Sequence, residues 1–295
     1  MSYTEKQLAD LAKKYPMPYI SYSQITSYRK CPWTYKLTYL SGQFKSTGNK
    51  YTKLGNVFHD IVESEGRQKI ANKSLLSQSG AIRIFNNNFF KVLKEHKDYF
   101  DSKEDFIKLY NKGIQAIKNY YSVYTEEIPL FVERRFQGEI AEGLPPVKSF
   151  VDRIEGDKDD PSSWIITDYK TGSQPKPKDY LRNDLQLGMY AAQLFAETGH
   201  YPKAVQFYHP VPNKFQTAVH QGDGHYKFTG QRAPVVEFSV SDVIIEVRKT
   251  VADIVTNIEN DSFKRVVERW ACKSCFHYIS GDCDPFKKPT GWEAV

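Results

Sequence analysis

Trp164-Ile165-Ile166-Thr167-Asp168-Tyr169-Lys170 is an apolar, β-branched run that ends in charge. It reads as a buried β-strand with a polar end. Alternate residues of a strand share a face, so Asp168 and Lys170 point one way and Ile165, Thr167 and Tyr169 the other. Upstream, Lys148-Ser149-Phe150-Val151-Asp152-Arg153-Ile154 reads as a second strand. The residues between, Gly156 to Ser163, are dense in turn formers. A hairpin folded about Asp160 sets Asp152 directly across from Asp168. Like charges facing each other destabilise a sheet. A divalent cation held between the two carboxylates removes that penalty and suits oxygen ligands. Lys170 then stands as a positive group beside an oxygen held by the cation. This is equipment for phosphodiester hydrolysis.

The rest of the chain gives that hairpin a setting. With 295 residues it forms one large domain or two small ones, and a hydrophobic fraction of 40% with 14% aromatics allows a sizeable core. No run approaches the roughly eighteen apolar residues of a membrane helix. The N-terminus lacks the apolar core of a secretory signal, so an intracellular, cytoplasmic setting without a membrane is expected. A formal charge of +6 permits nucleic acid without diagnosing it. There is no internal repeat or low-complexity segment. No G-x-x-x-x-G-K-[ST] occurs, so ATP-driven unwinding would need another chain.

Helical and extended patterns alternate along the chain. Ser21 to Ile25 opens a short helix, with Ser23 as its expected N-cap. Leu54 to Glu63 is a helix on which Gly55 and His59 share a face. From about Ser74 to Tyr124 the apolar spacing is helical, as in Ile84, Phe85, Phe89 and Leu93. Its aromatics are read as core. Strands follow: Phe131 to Phe136, the two strands above, and Val205 to Tyr208. A basic, proline-containing loop carries Lys176 and Lys178, and with Arg182 these are candidates for tracking a phosphate backbone or simply a solvated loop. Asn183 to Ala192 is expected as a helix with Gln186 and Tyr190 on one face. Residues 211 to 232 read as a hairpin or loop, and Ser241 to about Ile258 as an amphipathic helix.

The chain has four cysteines: Cys31, then Cys272, Cys275 and Cys283 as C-x2-C-x7-C. Inside a cell this favours metal binding over disulfides. Four thiolates can hold zinc or an iron–sulfur cluster, and spacing does not choose between them. Either would tie Cys31 to the C-terminal segment, contributing mainly stability. A thioredoxin-like role is disfavoured because no βαβ opening precedes Cys272-Lys273-Ser274-Cys275.

Each element alone has an ordinary reading. A D-x-K at a strand end is commonly a solvated face, a single His59 a satisfied histidine, and Gln186 and Tyr190 a packed helix face. Glu133 either faces the same cleft or pairs with an arginine. Their order carries the argument: Gly55–His59, Asp152-Arg153, Asp168-Tyr169-Lys170, then Gln186–Tyr190. This series resembles the PD-(D/E)XK nuclease superfamily, whose RecB-like branch has a G-x-x-x-H helix, a G-x-x-D-R strand, a D-Y-K strand and a Q-x-x-x-Y helix. The cysteine layout and Ser23-Gln24-Ile25-x-x-Tyr28-x-x-Cys31-Pro32 resemble the iron–sulfur subgroup, which includes the AddB nuclease domain and the CRISPR-associated RecB-like exonucleases. Two departures stand out. Lys148-Ser149-Phe150-Val151 lacks the usual glycine, and the Cys275–Cys283 spacing is slightly long.

The resemblance implies an α/β fold with a central mixed sheet flanked by helices. It implies one nuclease domain over 1–295, with a helical insertion at about 66–125, a core at about 126–260 and a cysteine segment at 261–295 joined to Cys31. His59, Asp152, Asp168 and the Tyr169 carbonyl are implied as ligands of Mg2+ or Mn2+. Asp152, Asp168 and Lys170 would be catalytic, and Gln186 and Tyr190 would hold phosphate or nucleotide. Cys31, Cys272, Cys275 and Cys283 would hold a [4Fe–4S] cluster, with zinc as the alternative. The implied activity is a metal-dependent DNA exonuclease acting on single-stranded ends, in recombination or repair, phage DNA processing or CRISPR spacer acquisition. The alternative is a DNA-binding adaptor subunit of such a complex. Protein partners from recombination or CRISPR adaptation fit either role.

Overall fold

The computed structural model describes residues 4–41, 48–72, 75–230, 234–273 and 275–286. The expected helix start at Ser74, part of the 211–232 loop and the tail beyond residue 286 lie outside the described residues. The chain divides into two compact units: Met1–Gly48 with Gly143–Pro145 and Val247–Val295, and Asn49–Glu142 with Pro146–Glu246.

The first unit begins with α1 (Glu5–Ala12), α2 (Tyr22–Lys30), α3 (Pro32–Tyr35) and a π-helical turn at Lys36–Leu40. The cap of α2 is Ser21, not the expected Ser23. Ser21 Oγ accepts from the Gln24 N–H, and Gln24 Oε1 accepts from the Ser21 N–H at 2.6 Å. This reciprocal pair closes the helix start two residues earlier. Ser23 instead shares a hydroxyl hydrogen bond with Ser21.

The second unit opens with three helices, α4 (Lys50–Ile70), α5 (Gln78–Glu95) and α6 (Lys103–Tyr124). Asn49 caps α4, its side chain accepting from the Tyr51 and Thr52 N–H groups. Leu54, Phe58 and Ile61 of α4 pack with Phe85 and Phe89 of α5 and Ile117 and Tyr120 of α6. The three helices meet so closely at Gly113 that a methyl there would collide with the Phe85 ring and lie 2.9 Å from Leu54 Cδ1. Gly113→Ala should therefore lose about 1–3 kcal/mol by overpacking. A urea melt with an unchanged slope and a lower midpoint would record it.

Among the described residues, seven strands form one sheet in chain order: β1 (Phe131–Gly138), β2 (Val147–Glu155), β3 (Ile165–Tyr169), β4 (Ala204–His209), β5 (Lys214–Gly222), β6 (His225–Phe228) and β7 (Glu237–Ser239). The sheet is mixed. β3 and β4 pair in parallel, and every other neighbouring pair is antiparallel. The parallel pair needs a crossover, supplied by α7 (Lys178–Asn183) and α8 (Gln186–Thr198). The helix expected from Asn183 to Ala192 starts only at Gln186, as α8, and the short α7 before it stands where a basic loop was expected. Asp184 is extended, and its carboxylate accepts from the Gln186 N–H at 2.8 Å, which starts α8 afresh. Gly199, in the left-handed region at φ 73°, ends it.

Helices cover both sheet faces around β3. Tyr169 lies among Phe58, Tyr120, Tyr124 and Tyr208 on one side. Gln186 and Tyr190 of α8 meet Asp168 on the other. This is the expected α/β architecture with a central mixed sheet. The described part of the region expected as a hairpin or loop, 211–230, holds the β5–β6 hairpin. The last long helix, α9 (Val240–Glu259), follows, and then α10 (Arg269–Lys273) and α11 (Phe276–Ile279). No described helix is long and apolar enough to cross a membrane.

Candidate active site

The β2–β3 hairpin has the register that the turn about Asp160 predicts. Arg153 pairs with Thr167, and the next step along both strands sets Asp152 against Asp168. The backbone ladder yields there to a side chain. The Tyr169 N–H donates to Asp152 Oδ2 at 2.5 Å. Beside it, Arg153 points to the opposite face, fully buried, with its guanidinium 4.1 Å from the Tyr124 ring centre and bonded to Glu155. This anchors the strand that presents Asp152.

His59 comes from α4, one turn after Gly55, whose missing side chain leaves Thr171 Oγ1 at 3.4 Å from where a Cβ would stand. His59 Nδ1 lies 3.2 Å from Asp152 Oδ1 and 3.9 Å from Glu133 Oε1. His59, Glu133 and Asp152 form a group whose ligand atoms all lie within 4.8 Å of one another. Of the two readings open for Glu133, facing the cleft or pairing with an arginine, the geometry matches the first. β1 pairs with β2 as Val132 with Arg153 and Arg134 with Val151, so Glu133 falls opposite Asp152. It is a non-glycine residue at φ 47°. Such backbone costs energy and persists where surrounding structure holds it. Glu133, Asp152 and Asp168 thus follow one another across three adjacent strands.

Asp168 is buried, and each of its oxygens has a polar neighbour. Oδ2 meets Lys170 Nζ at 2.7 Å. Oδ1 accepts from Gln186 Nε2 at 2.6 Å and faces the Tyr190 hydroxyl at 3.0 Å. Gln186 and Tyr190 are themselves buried and bonded to each other. Gln186 Nε2 and the Tyr190 hydroxyl reach Asp168, a geometry suited to fixing the carboxylate, and the Tyr190 hydroxyl also meets the Phe150 carbonyl at 3.2 Å.

The electrostatics follow from this crowding. Burial raises the Asp152 carboxyl to about 6, with Asp168 adding to the shift against the pull of His59. Burial opposes the His59 cation, but Asp152 and Glu133 outweigh it and raise its pKa to about 10. The His59 hydrogen bond lowers Glu133 despite burial. Burial likewise opposes the Lys170 charge, yet Asp168 and then Asp152 raise its pKa. Three carboxylates, an imidazole and an ammonium converge beside a cleft of about 600 Å³, lined by Gly55, His59, Tyr169, Lys170, Lys176 and His209 among others. The donor set of carboxylate oxygens and one imidazole fits a hard divalent cation.

The four cysteines also come together, within the first unit. All are free thiols and all line one cavity of about 300 Å³, between the Cys31 turn and residues 265–285. The Val266 N–H donates to Cys31 Sγ at 3.5 Å, and Cys275 Sγ lies 3.8 Å from Thr34 Oγ1. Burial raises the Cys283 thiol, and Cys275, Cys31 and Cys272 add to that rise against Arg265. Thiols are the donor type that zinc and iron–sulfur clusters take.

No curated protein matches the chain. Among solved structures, a "putative exonuclease" from Eubacterium rectale is similar in fold. It is 13% identical, the match covers 98% of this chain and 96% of that one, and the TM-score is 0.50. The sequence profile of the PD-(D/E)XK nuclease superfamily matches residues 19–278, a span containing His59, both facing aspartates, Lys170 and three of the four cysteines. With that match laid over the Asp152–Asp168 hairpin and its lysine, the chain belongs to the PD-(D/E)XK nuclease superfamily.

Proposed function

We propose that this nuclease is a divalent-metal-dependent DNA exonuclease of the RecB-like branch, acting on single-stranded ends and carrying a structural iron–sulfur cluster. The observation that carries the reading is the register of Asp152 against Asp168, with His59 at 3.2 Å from one and Lys170 at 2.7 Å from the other. His59, Asp152 and Asp168, with the Tyr169 carbonyl, would hold Mg2+ or Mn2+, and Glu133 stands ready as a further oxygen donor. When bound, the cation supplies charge neutralisation at the scissile phosphate and acidifies a water.

The chain's own residues do the rest. Gln186 and Tyr190 keep Asp168 in one rotamer, and the Tyr169 N–H does the same for Asp152. Lys170 would orient the attacking water and stabilise negative charge on the phosphate. Its raised pKa supports a role as donor over one as base. Cys31, Cys272, Cys275 and Cys283 would hold the cluster, and the single cavity they share supports one four-thiolate group. Work on DNA ends in recombination, phage DNA processing or spacer acquisition fits this activity.

The test compares linear with circular single-stranded DNA in Mn2+, using protein purified without oxygen and assayed for iron. Loss of the linear strand alone, by brown, iron-bearing protein, is the expected result. Equal cleavage of both would overturn the exonuclease reading, and colourless, iron-free but active protein would overturn the cluster. Cys31→Ser should release iron and lower Tm by several degrees, since a lost cross-link of this kind costs roughly 2 kcal/mol or more.

A further inference from the structure

The loop after β3 carries a second ammonium into the cleft. Lys176 lines the same cavity as Lys170 and His209. Its Nζ lies 3.9 Å from the centre of the buried Phe207 ring, and Lys170 Nζ lies 5.4 Å from the same ring. Phe207 pairs in register with Asp168, so this floor adjoins the candidate reacting centre. Each ammonium has its own carboxylate, Asp168 for Lys170 and Asp184 for Lys176.

The position of Lys176 is built by its neighbours. The side chain of Gln216 on β5 pairs with the Lys176 backbone in both directions. The Lys176 N–H donates to Gln216 Oε1 at 2.9 Å, and Gln216 Nε2 donates to the Lys176 carbonyl at 2.8 Å. That carbonyl can only accept, which fixes which end of the amide is nitrogen. Gln216 Oε1 therefore faces His209 Nε2 at 2.9 Å, and the proton between them sits on His209. His209, 1% exposed, then keeps Nδ1 as a bare lone pair, with no hydrogen-bond partner among the described residues. Burial, with Lys176 and Lys170 nearby, lowers its pKa. A neutral His209 thus braces Gln216 without adding a third positive charge.

Two cations over one ring repel each other, and burial, together with Lys170, lowers the Lys176 pKa although Asp184 opposes this. Phosphate anions beside the two ammoniums relieve the repulsion and restore what burial removes from their solvation. We propose that Lys176 is a second phosphate-binding cation, held by Gln216 over Phe207, so that the cleft grips two consecutive phosphates of one strand. The inference rests on the nuclease reading above.

The test uses full-length protein, Lys176→Gln and Gln216→Ala variants, and labelled octathymidylate. The expected result for Lys176→Gln is a KM rise of about 10-fold with a smaller change in kcat, the loss of one charge-assisted phosphate contact. Binding measured in Ca2+ should lose about 0.7 from its log–log salt slope, the value for one phosphate of a single strand. The defect should grow from a dinucleotide to the octamer, Lys176→Arg should recover most of the affinity, and Gln216→Ala should show the same pattern more weakly. An unchanged salt slope, or an equal defect at every strand length, would overturn the proposal. If wild type cuts no DNA, the nuclease reading fails, and the salt slope still decides the role of Lys176.

Discussion

Asp152→Asn and Asp168→Asn should each lower kcat on the order of 10³-fold or more, since each removes a full charge from the centre where the phosphate's charge is met. The substitutions keep side-chain volume, so shape is not the variable. In D168N an oxygen can still accept from Gln186 and Tyr190, but the amide nitrogen replaces the oxygen that Lys170 meets at 2.7 Å. Two donors then face each other, and both the cation site and the lysine lose their partner.

In D152N the Tyr169 N–H keeps an acceptor, while His59 loses its carboxylate. The Asp152 carboxyl titrates at about 6 in the fold, above its ordinary value of 3.8. Its charge therefore costs the fold stability, in full above about pH 6, and that cost is lost as pH falls from about 6 to 3.8. Without metal, D152N should melt no lower than wild type at pH 7. With Mn2+, wild type should gain Tm and D152N should not. Single-turnover cleavage and thermal melts with and without Mn2+ check both halves. An active D152N protein would remove Asp152 from the site.

Lys170→Ala has the second largest expected effect, a fall in kcat of about 10²- to 10³-fold, as for loss of one preorganised donor. It should differ from the aspartate variants in one respect. Lys170 is no metal ligand, so Mn2+ affinity should hold or rise once its charge is gone from Asp168. Calorimetric titration with Mn2+ beside the kinetics separates the two classes of residue. Lys170→Arg should recover little, because a planar fork cannot take the place of a compact ammonium held against Asp168 and above the Phe207 ring. A Lys170→Ala protein that cuts normally would make the ion pair with Asp168 purely structural.

The hairpin was legible in the sequence because two local signals agree. The turn cluster around Asp160 sets the fold-back, and a one-residue slip would have turned Ile166 and Thr167 to the wrong faces. His59 and the Gln186–Tyr190 pair were legible as helix faces, but what those faces reach was not. Spacing of four residues says nothing of whether a glutamine meets substrate or the back of a carboxylate.

Glu133 stood between two readings for a different reason. Its approach to His59 needs a left-handed backbone in mid-strand and a pairing of β1 with β2 across the 139–146 connection, and no local pattern encodes either. The later start of α8 was missed because the Asp184 carboxylate takes the Gln186 N–H, which composition does not reveal. For the cysteines, residue type and clustering identified the set, and the cavity they share is a product of tertiary packing between distant segments.

The most direct test is cleavage of end-labelled single-stranded DNA by the purified chain in Mn2+, with EDTA and Asp168→Asn in parallel. The expected result is metal-dependent shortening of the strand by wild type and none in either control. A folded wild-type protein that binds Mn2+ yet cuts no DNA, or one that cuts equally well in EDTA, would contradict it.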